Sequence, residues 1–200
     1  MAGRRTRQDF DRLYADGRPP WELGGPQPAL VEALTREPVE DPVLDAGCGT
    51  GDLALWLAAR GHRVVAFDFS AAAIEQARAK ITTGGSDVTF LVADATRLAD
   101  LPLRPRTVVD SGLLHGLDEP SRSAYVDGLR DLCEPGARLF LLARDDPGSE
   151  HADAGRAELI TRFAAPDWTD TEVRPAEVCA QVDGAAVRLP GWLLITHRAA

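Results

Sequence analysis

From Pro42 onward the chain alternates short β-rich apolar runs with stretches whose apolar residues recur every three or four positions, the pattern of a parallel sheet with helical crossovers. Strands are predicted at 43–45, 63–68, 88–92, 107–109 and 138–143. One intervening helix carries Leu53, Trp56, Leu57 and Arg60 and stops at Gly61. A second is N-capped by Ser70, places Ile74, Ala77 and Ile81 on one face, and ends at Gly84-Gly85. A third starts near Pro120, carries Tyr125, Leu129 and Leu132, and is stopped by Pro135-Gly136. Beyond Ala143 a polar stretch over 145–155 precedes a short helix with Leu159, Ile160 and Phe163. Asp183-Gly184 signals a tight turn between a run over 173–182 and a last strand at 192–196, so the sheet should close in an antiparallel pair.

The opening forty residues contain Pro19-Pro20, Gly24-Gly25-Pro26 and Pro28, too many breakers for one long helix, and read as an arm laid over a core. The expected organisation is one domain over 1–200, with 1–40 as arm or lid and 42–198 as core. Lys and Arg number 22 against 31 Asp and Glu, a net charge of −9. Such a surface repels nucleic acid and anionic membranes, so a small molecule is the expected partner. The longest apolar run, 53–59, is far short of the ~20 residues of a membrane span. The start lacks the apolar stretch of a secretory signal, so a cytoplasmic location is expected, and a monomer is favoured. Cys48, Cys133 and Cys179 are widely spaced and odd in number, which suggests neither a disulfide framework nor a metal site.

The segment Asp45-Ala46-Gly47-Cys48-Gly49-Thr50-Gly51 carries the most chemistry. Alternate glycines let the backbone turn sharply and approach a ligand closely, and the following helix aims free N–H groups at the same space. A dinucleotide fingerprint needs glycine at the sixth position from Gly47, where Asp52 stands, and Asp45 would repel a diphosphate. A ligand without phosphate and with a positive centre fits better. S-adenosylmethionine has both properties. Asp68, closing the second strand, can accept both ribose hydroxyls, and Asp94, past the third, can accept from the adenine amino group. Cys48 is expected to contribute its backbone, with Phe69 and Ala95 flanking the cofactor.

With these residues in hand, the sequence resembles the Rossmann-like (class I) S-adenosylmethionine-dependent methyltransferases from about Pro42 to Arg198, most strongly at Val43 to Gly51. Residues 19–28 and 109–115 are also similar to a small-molecule branch: thiopurine-type, halide/thiol and bacterial heterocycle- or phenol-methylating enzymes of secondary metabolism or detoxification. The resemblance implies an α/β, doubly wound, mostly parallel seven-stranded sheet ending in an antiparallel pair, with helices on both faces. It also implies that Trp21 covers the cofactor and that Asp110 lies near its methionine end. Thiopurine-type members carry Arg where this chain has Ser111, which speaks against an anionic thiopurine.

Transfer of a methyl group to O, N or S of a small molecule requires chiefly alignment, with a base where the acceptor is a protonated phenol. His115, with Asp110 nearby, is the leading candidate for that base, and Tyr14 a weaker one. The arm and the segment 144–163 should wall the acceptor pocket. Two other readings stand beside this one: a protein that binds S-adenosylmethionine without transferring methyl, and a nicotinamide-dependent oxidoreductase.

Overall fold

The computed structural model of the protein describes residues 6–17, 19–81, 87–145, 155–182 and 184–200. Gly84, Gly85, Asp183 and most of the polar stretch 145–155 lie outside them. The strands are β1 Val43–Ala46, β2 Val64–Asp68, β3 Val88–Val92, β4 Thr107–Ser111, β5 Arg138–Arg144, β6 Trp168–Val182 and β7 Ala185–Arg198. They form one seven-stranded sheet in the order β3-β2-β1-β4-β5-β7-β6. The first five positions are parallel, and β7 runs antiparallel to both β5 and β6.

Successive residues of a strand face opposite sides, and here both sides are apolar. Leu44, Val108, Leu139 and Leu141 belong to one cluster; Val43, Val109, Phe140 and Leu142 belong to the other. Each face therefore needs a helical cover. On one side lie α2 Pro28–Arg36, α3 Asp52–Ala58 and α4 Ala71–Ala79; on the other lie α5 Leu113–Gly116, α6 Glu119–Leu132 and α7 Arg156–Arg162, with a kinked 3-10 segment at Ala95–Asp100. The helix α1, Arg7–Ala15, sits against α4.

Three expectations change. Pro28–Arg36 is a helix whose Leu30, Ala33 and Leu34 are core residues, because Pro28 sits at its start where the missing N–H is no loss. Ile81 and Ile160 are exposed: α4 ends at Ala79, before Ile81, and α7 buries Leu159 and Phe163 instead of Ile160. The last two strands are far longer than the apolar runs suggested, at 15 and 14 residues. Pro175 is tolerated because β6 is an edge strand. Pro190 stands one residue beyond Gly191, whose partner Arg144 is the last of β5, so no ladder on that side requires its N–H.

Candidate active site

The carboxyl ends of β1, β2 and β4 meet at the glycine loop. Gly47, Gly49 and Gly51 all have positive φ, at 67°, 54° and 82°. The loop is also crowded: a β-carbon on Gly47 would lie 2.8 Å from Leu113 Cβ, and one on Gly51 would lie 2.6 Å from Phe90 Cζ. Glycine is thus required there by both backbone and space.

Three carboxylates underlie the loop. Asp68 Oδ2 accepts the Gly49 N–H at 2.9 Å and Oδ1 accepts the Ser70 N–H at 2.8 Å, so this side chain welds the β1 turn to the start of α4. Burial raises its pKa, and those N–H groups oppose the rise. Asp45 lies under the start of α3, and among the described residues neither of its buried oxygens has a hydrogen-bond partner. Burial first, then the neighbouring Asp110 charge, pushes its pKa up to about 8. Asp110 is fully buried on the α6 side, accepting N–H groups of Leu113 at 2.7 Å and Leu114 at 3.2 Å, and burial raises its pKa to about 7. An unmatched buried acid beside a side-chain-free turn is a place for a cation.

The arm covers this loop. Glu22 Oε1 accepts the Thr50 N–H at 3.3 Å, and Thr50 Oγ1 donates to Glu22 Oε2 at 2.5 Å. Lys80 Nζ donates to Thr50 Oγ1 and to Asp52, both at 2.6 Å. The Trp21 indole N–H donates to the Tyr14 hydroxyl at 2.9 Å. Phe10 stands 6.0 Å from Trp21 and 6.4 Å from Phe69, ring centre to ring centre. Asp11 accepts the Ser70 hydroxyl at 2.5 Å and the Ala72 N–H at 3.3 Å, fastening α1 to the start of α4. Downstream, Gln27 pairs both ways with the Cys179 peptide at 2.9 Å, and Gln181 N–H donates to the Pro20 carbonyl at 2.7 Å.

The sequence candidates separate into groups. Asp45, Gly47, Cys48, Gly49, Gly51 and Asp68 come together at the loop; the Tyr14 hydroxyl lies against Gly49, Trp21 is bonded to Tyr14, and Phe69 is linked to Trp21 through Phe10. Cys48 contributes its N–H to Phe67 at 2.9 Å, and burial pushes its thiol well above the ordinary value. Asp94 is different: Oδ1 caps the 3-10 segment through the Thr96 N–H at 2.9 Å and hydroxyl at 2.8 Å. Ala95, behind it, is buried.

Asp110, near His115 in sequence, makes no hydrogen bond to the His115 Nδ1. Asp110 is occupied with the first turn of α5 and faces the core, and His115 Nδ1 has no partner among the described residues. Burial, with the charges of Arg144 and Arg122 behind it, lowers the His115 pKa to about 4, which makes it a weak base. Its ring rests on Gly112, where a β-carbon would lie 2.9 Å from Cε1. At Tyr14, burial, then Asp68 and Glu22, raises the hydroxyl pKa, and that oxygen accepts from Trp21. Sequence reasoning passed over Glu22, Thr50, Lys80 and Asp11, which act through contacts 28 to 61 residues apart that no local pattern reveals.

Comparison with known proteins assigns the class. Residues 43–136 match the family described as "Methyltransferase domain". Over 207 aligned residues the chain is 31% identical to the 2-heptyl-1-hydroxyquinolin-4(1H)-one methyltransferase of Mycobacteroides abscessus, spanning 90% of this chain and 89% of that one. It is 28% identical over 195 residues to the ubiquinone biosynthesis O-methyltransferase of Xanthomonas euvesicatoria, spanning 90% and 80%. A solved structure described as "Conversion of a Disulfide Bond into a Thioacetal Group during Echinomycin Biosynthesis" superposes with a TM-score of 0.87 at 31% identity, over 97% of this chain and 93% of that one. The chain belongs to the class I, Rossmann-like S-adenosylmethionine-dependent methyltransferases. It is an enzyme of that class, with S-adenosylmethionine as its cofactor, and the oxidoreductase and non-transferring readings give way. The residues present fit that cofactor, since the buried Asp45 carboxyl has no hydrogen-bond partner among the described residues and ionises more readily beside a sulfonium or an ammonium. No helix among the described residues is long and apolar enough to cross a membrane.

Proposed function

We propose that the enzyme methylates a heteroatom of a small, largely apolar molecule, with a hydroxyl oxygen as the favoured acceptor. The observation that carries this reading is a division of charge across the sheet ends. Carboxylates Asp45 and Asp68 lie at the glycine loop, whereas the charged groups acting on His115, beyond β4, are the cations Arg122 and Arg144. A cationic donor belongs to the first side and an electron-rich acceptor to the second. The names of the two relatives, a hydroxyquinolone methyltransferase and an O-methyltransferase, support the same acceptor chemistry.

The cofactor, when bound, supplies an electrophilic methyl group on its sulfonium sulfur. Asp45 neutralises the positive end, Asp68 accepts the ribose hydroxyls with the lone pairs left by Gly49 and Ser70, and Asp94 accepts from adenine. Asp110 holds the first turn of α5 and thereby places His115. The arm, as a lid on a single domain, excludes water through Phe10, Trp21 and Phe69. Alignment of this kind is worth ~7–11 kcal/mol of barrier and calls for no covalent intermediate. The net charge of −9 favours a small acceptor over nucleic acid.

Incubation with S-adenosylmethionine and a panel of hydroxyquinolones, phenols, amines and thiols, read by mass spectrometry, tests the reading. Gain of one methyl on hydroxyl acceptors is expected. Cofactor binding without methyl gain on any member would overturn it.

A further inference from the structure

The cation side of the site contains polar atoms that the fold itself does not use. His115 Nδ1 and Trp192 Nε1 are both buried, and neither has a hydrogen-bond partner among the described residues. Leaving such atoms unmatched is costly unless a ligand meets them. Their elements adjoin at the end of β5. Trp192 pairs across the ladder with Ala143, the residue before Arg144, and packs onto the cluster that includes Leu114, Ala143 and Leu159. The helix α5, which carries His115, packs against β5. Arg122 fixes that helix from below, donating to the carbonyls of Leu114 at 3.2 Å and His115 at 3.1 Å, and is itself paired with Glu158 at 3.2 Å. Arg144 ends β5 and acts electrostatically on His115.

Resting on the proposed methyl transfer to a small molecule, we propose that this corner is an oxyanion subsite: it takes an acceptor whose acidic hydroxyl is already ionised, an enol, an acidic phenol or an N-hydroxy heterocycle. The Trp192 indole N–H and the His115 imidazole hold the oxygen, and the Arg144 charge favours its anionic form. The indole nitrogen can only donate, so it is matched by an oxygen lone pair and never by an ammonium or hydroxyl hydrogen. The acceptor oxygen forms a C–O bond as the cofactor's C–S bond breaks, with that electron pair staying on sulfur. Anion and sulfonium become two neutral molecules, and no proton has to be removed. Transfer to such an oxygen needs no general base.

The substitution Trp192→Phe keeps an aromatic ring and deletes only the N–H. For ionised hydroxyl acceptors kcat/KM should fall about tenfold or more, the worth of one hydrogen bond to a charged group, with calorimetric affinity for S-adenosylmethionine unchanged. Across phenols graded in acidity from a pKa of ~10 downward, the inflection of the kcat/KM profile should track each acceptor's own pKa. A binding readout stands apart from turnover. With S-adenosylhomocysteine present, para-nitrophenol titrated into the wild-type protein should show a lowered apparent pKa by phenolate absorbance, and Trp192→Phe should reverse part of that shift. An inflection fixed at one pH for all acceptors, a silent Trp192→Phe, or a probe pKa unchanged or raised overturns the subsite. If amines or thiols are methylated while these tests fail, only the subsite falls; if nothing is methylated, the transfer reading itself falls.

Discussion

A β-carbon placed on Gly49 would lie 2.5 Å from Glu22 Oε1 and 3.1 Å from the Tyr14 hydroxyl. The absence of a side chain in the loop is thus what lets the arm settle on it. Gly49→Ala meets both that contact and a φ of 54°, where an L-residue costs roughly 1–2 kcal/mol. The expected result is a lower urea midpoint together with faster hydrogen exchange in α1, since Glu22 must withdraw from Thr50. Loss of stability with an unaltered arm would show that backbone strain acts alone.

Asp68→Ala removes the acceptor from two N–H groups at once. A stability loss of about 1–3 kcal/mol follows, and cofactor affinity should fall much further than in His115→Ala, which touches only the acceptor side. Calorimetry on both variants decides this; equal losses of affinity would contradict the division between the two sides.

The pH dependence has a definite sign. Asp45 and Asp110 titrate at about 8 and about 7 in the folded chain against an ordinary 3.8. Between those values the native state holds more protons at these two groups than the unfolded one, so their contribution to stability is full below about pH 4 and is lost as pH rises toward 8. Cofactor affinity should move the opposite way, because a cation gains once Asp45 ionises. Urea midpoints and calorimetry from about pH 5.5 to 8.5 would measure both, and Asp45→Asn should flatten each curve.

Trp21→Ala deletes the indole N–H donation to Tyr14 and the ring contact with Phe10. Hydrogen exchange in α1 should quicken and cofactor dissociation should speed up. Unchanged cofactor affinity and turnover would mean that the ring only packs.

The parallel half of the sheet was legible because each short apolar run was followed by a helical period, and Ser70 does cap its helix, accepting the Ala73 N–H at 3.2 Å. The glycine loop was legible for a related reason: its residues are consecutive. What the sequence concealed depends on tertiary neighbours. Asp110 stands near His115 in sequence, but the fold turns it toward the first N–H groups of α5. The lengths of β6 and β7 were hidden by prolines whose harmlessness depends on which strand stands alongside. Glu22 reveals nothing locally, since Thr50 lies 28 positions away.

The double hydrogen bond between the Gln27 amide and the Cys179 peptide does for β6 what one more rung of ladder would do, and Pro20 adds another at Gln181. An open sheet margin can recruit foreign chains, so undocking these contacts would expose the enzyme to self-association. Residues 20–27 are therefore a strap pinned at both ends.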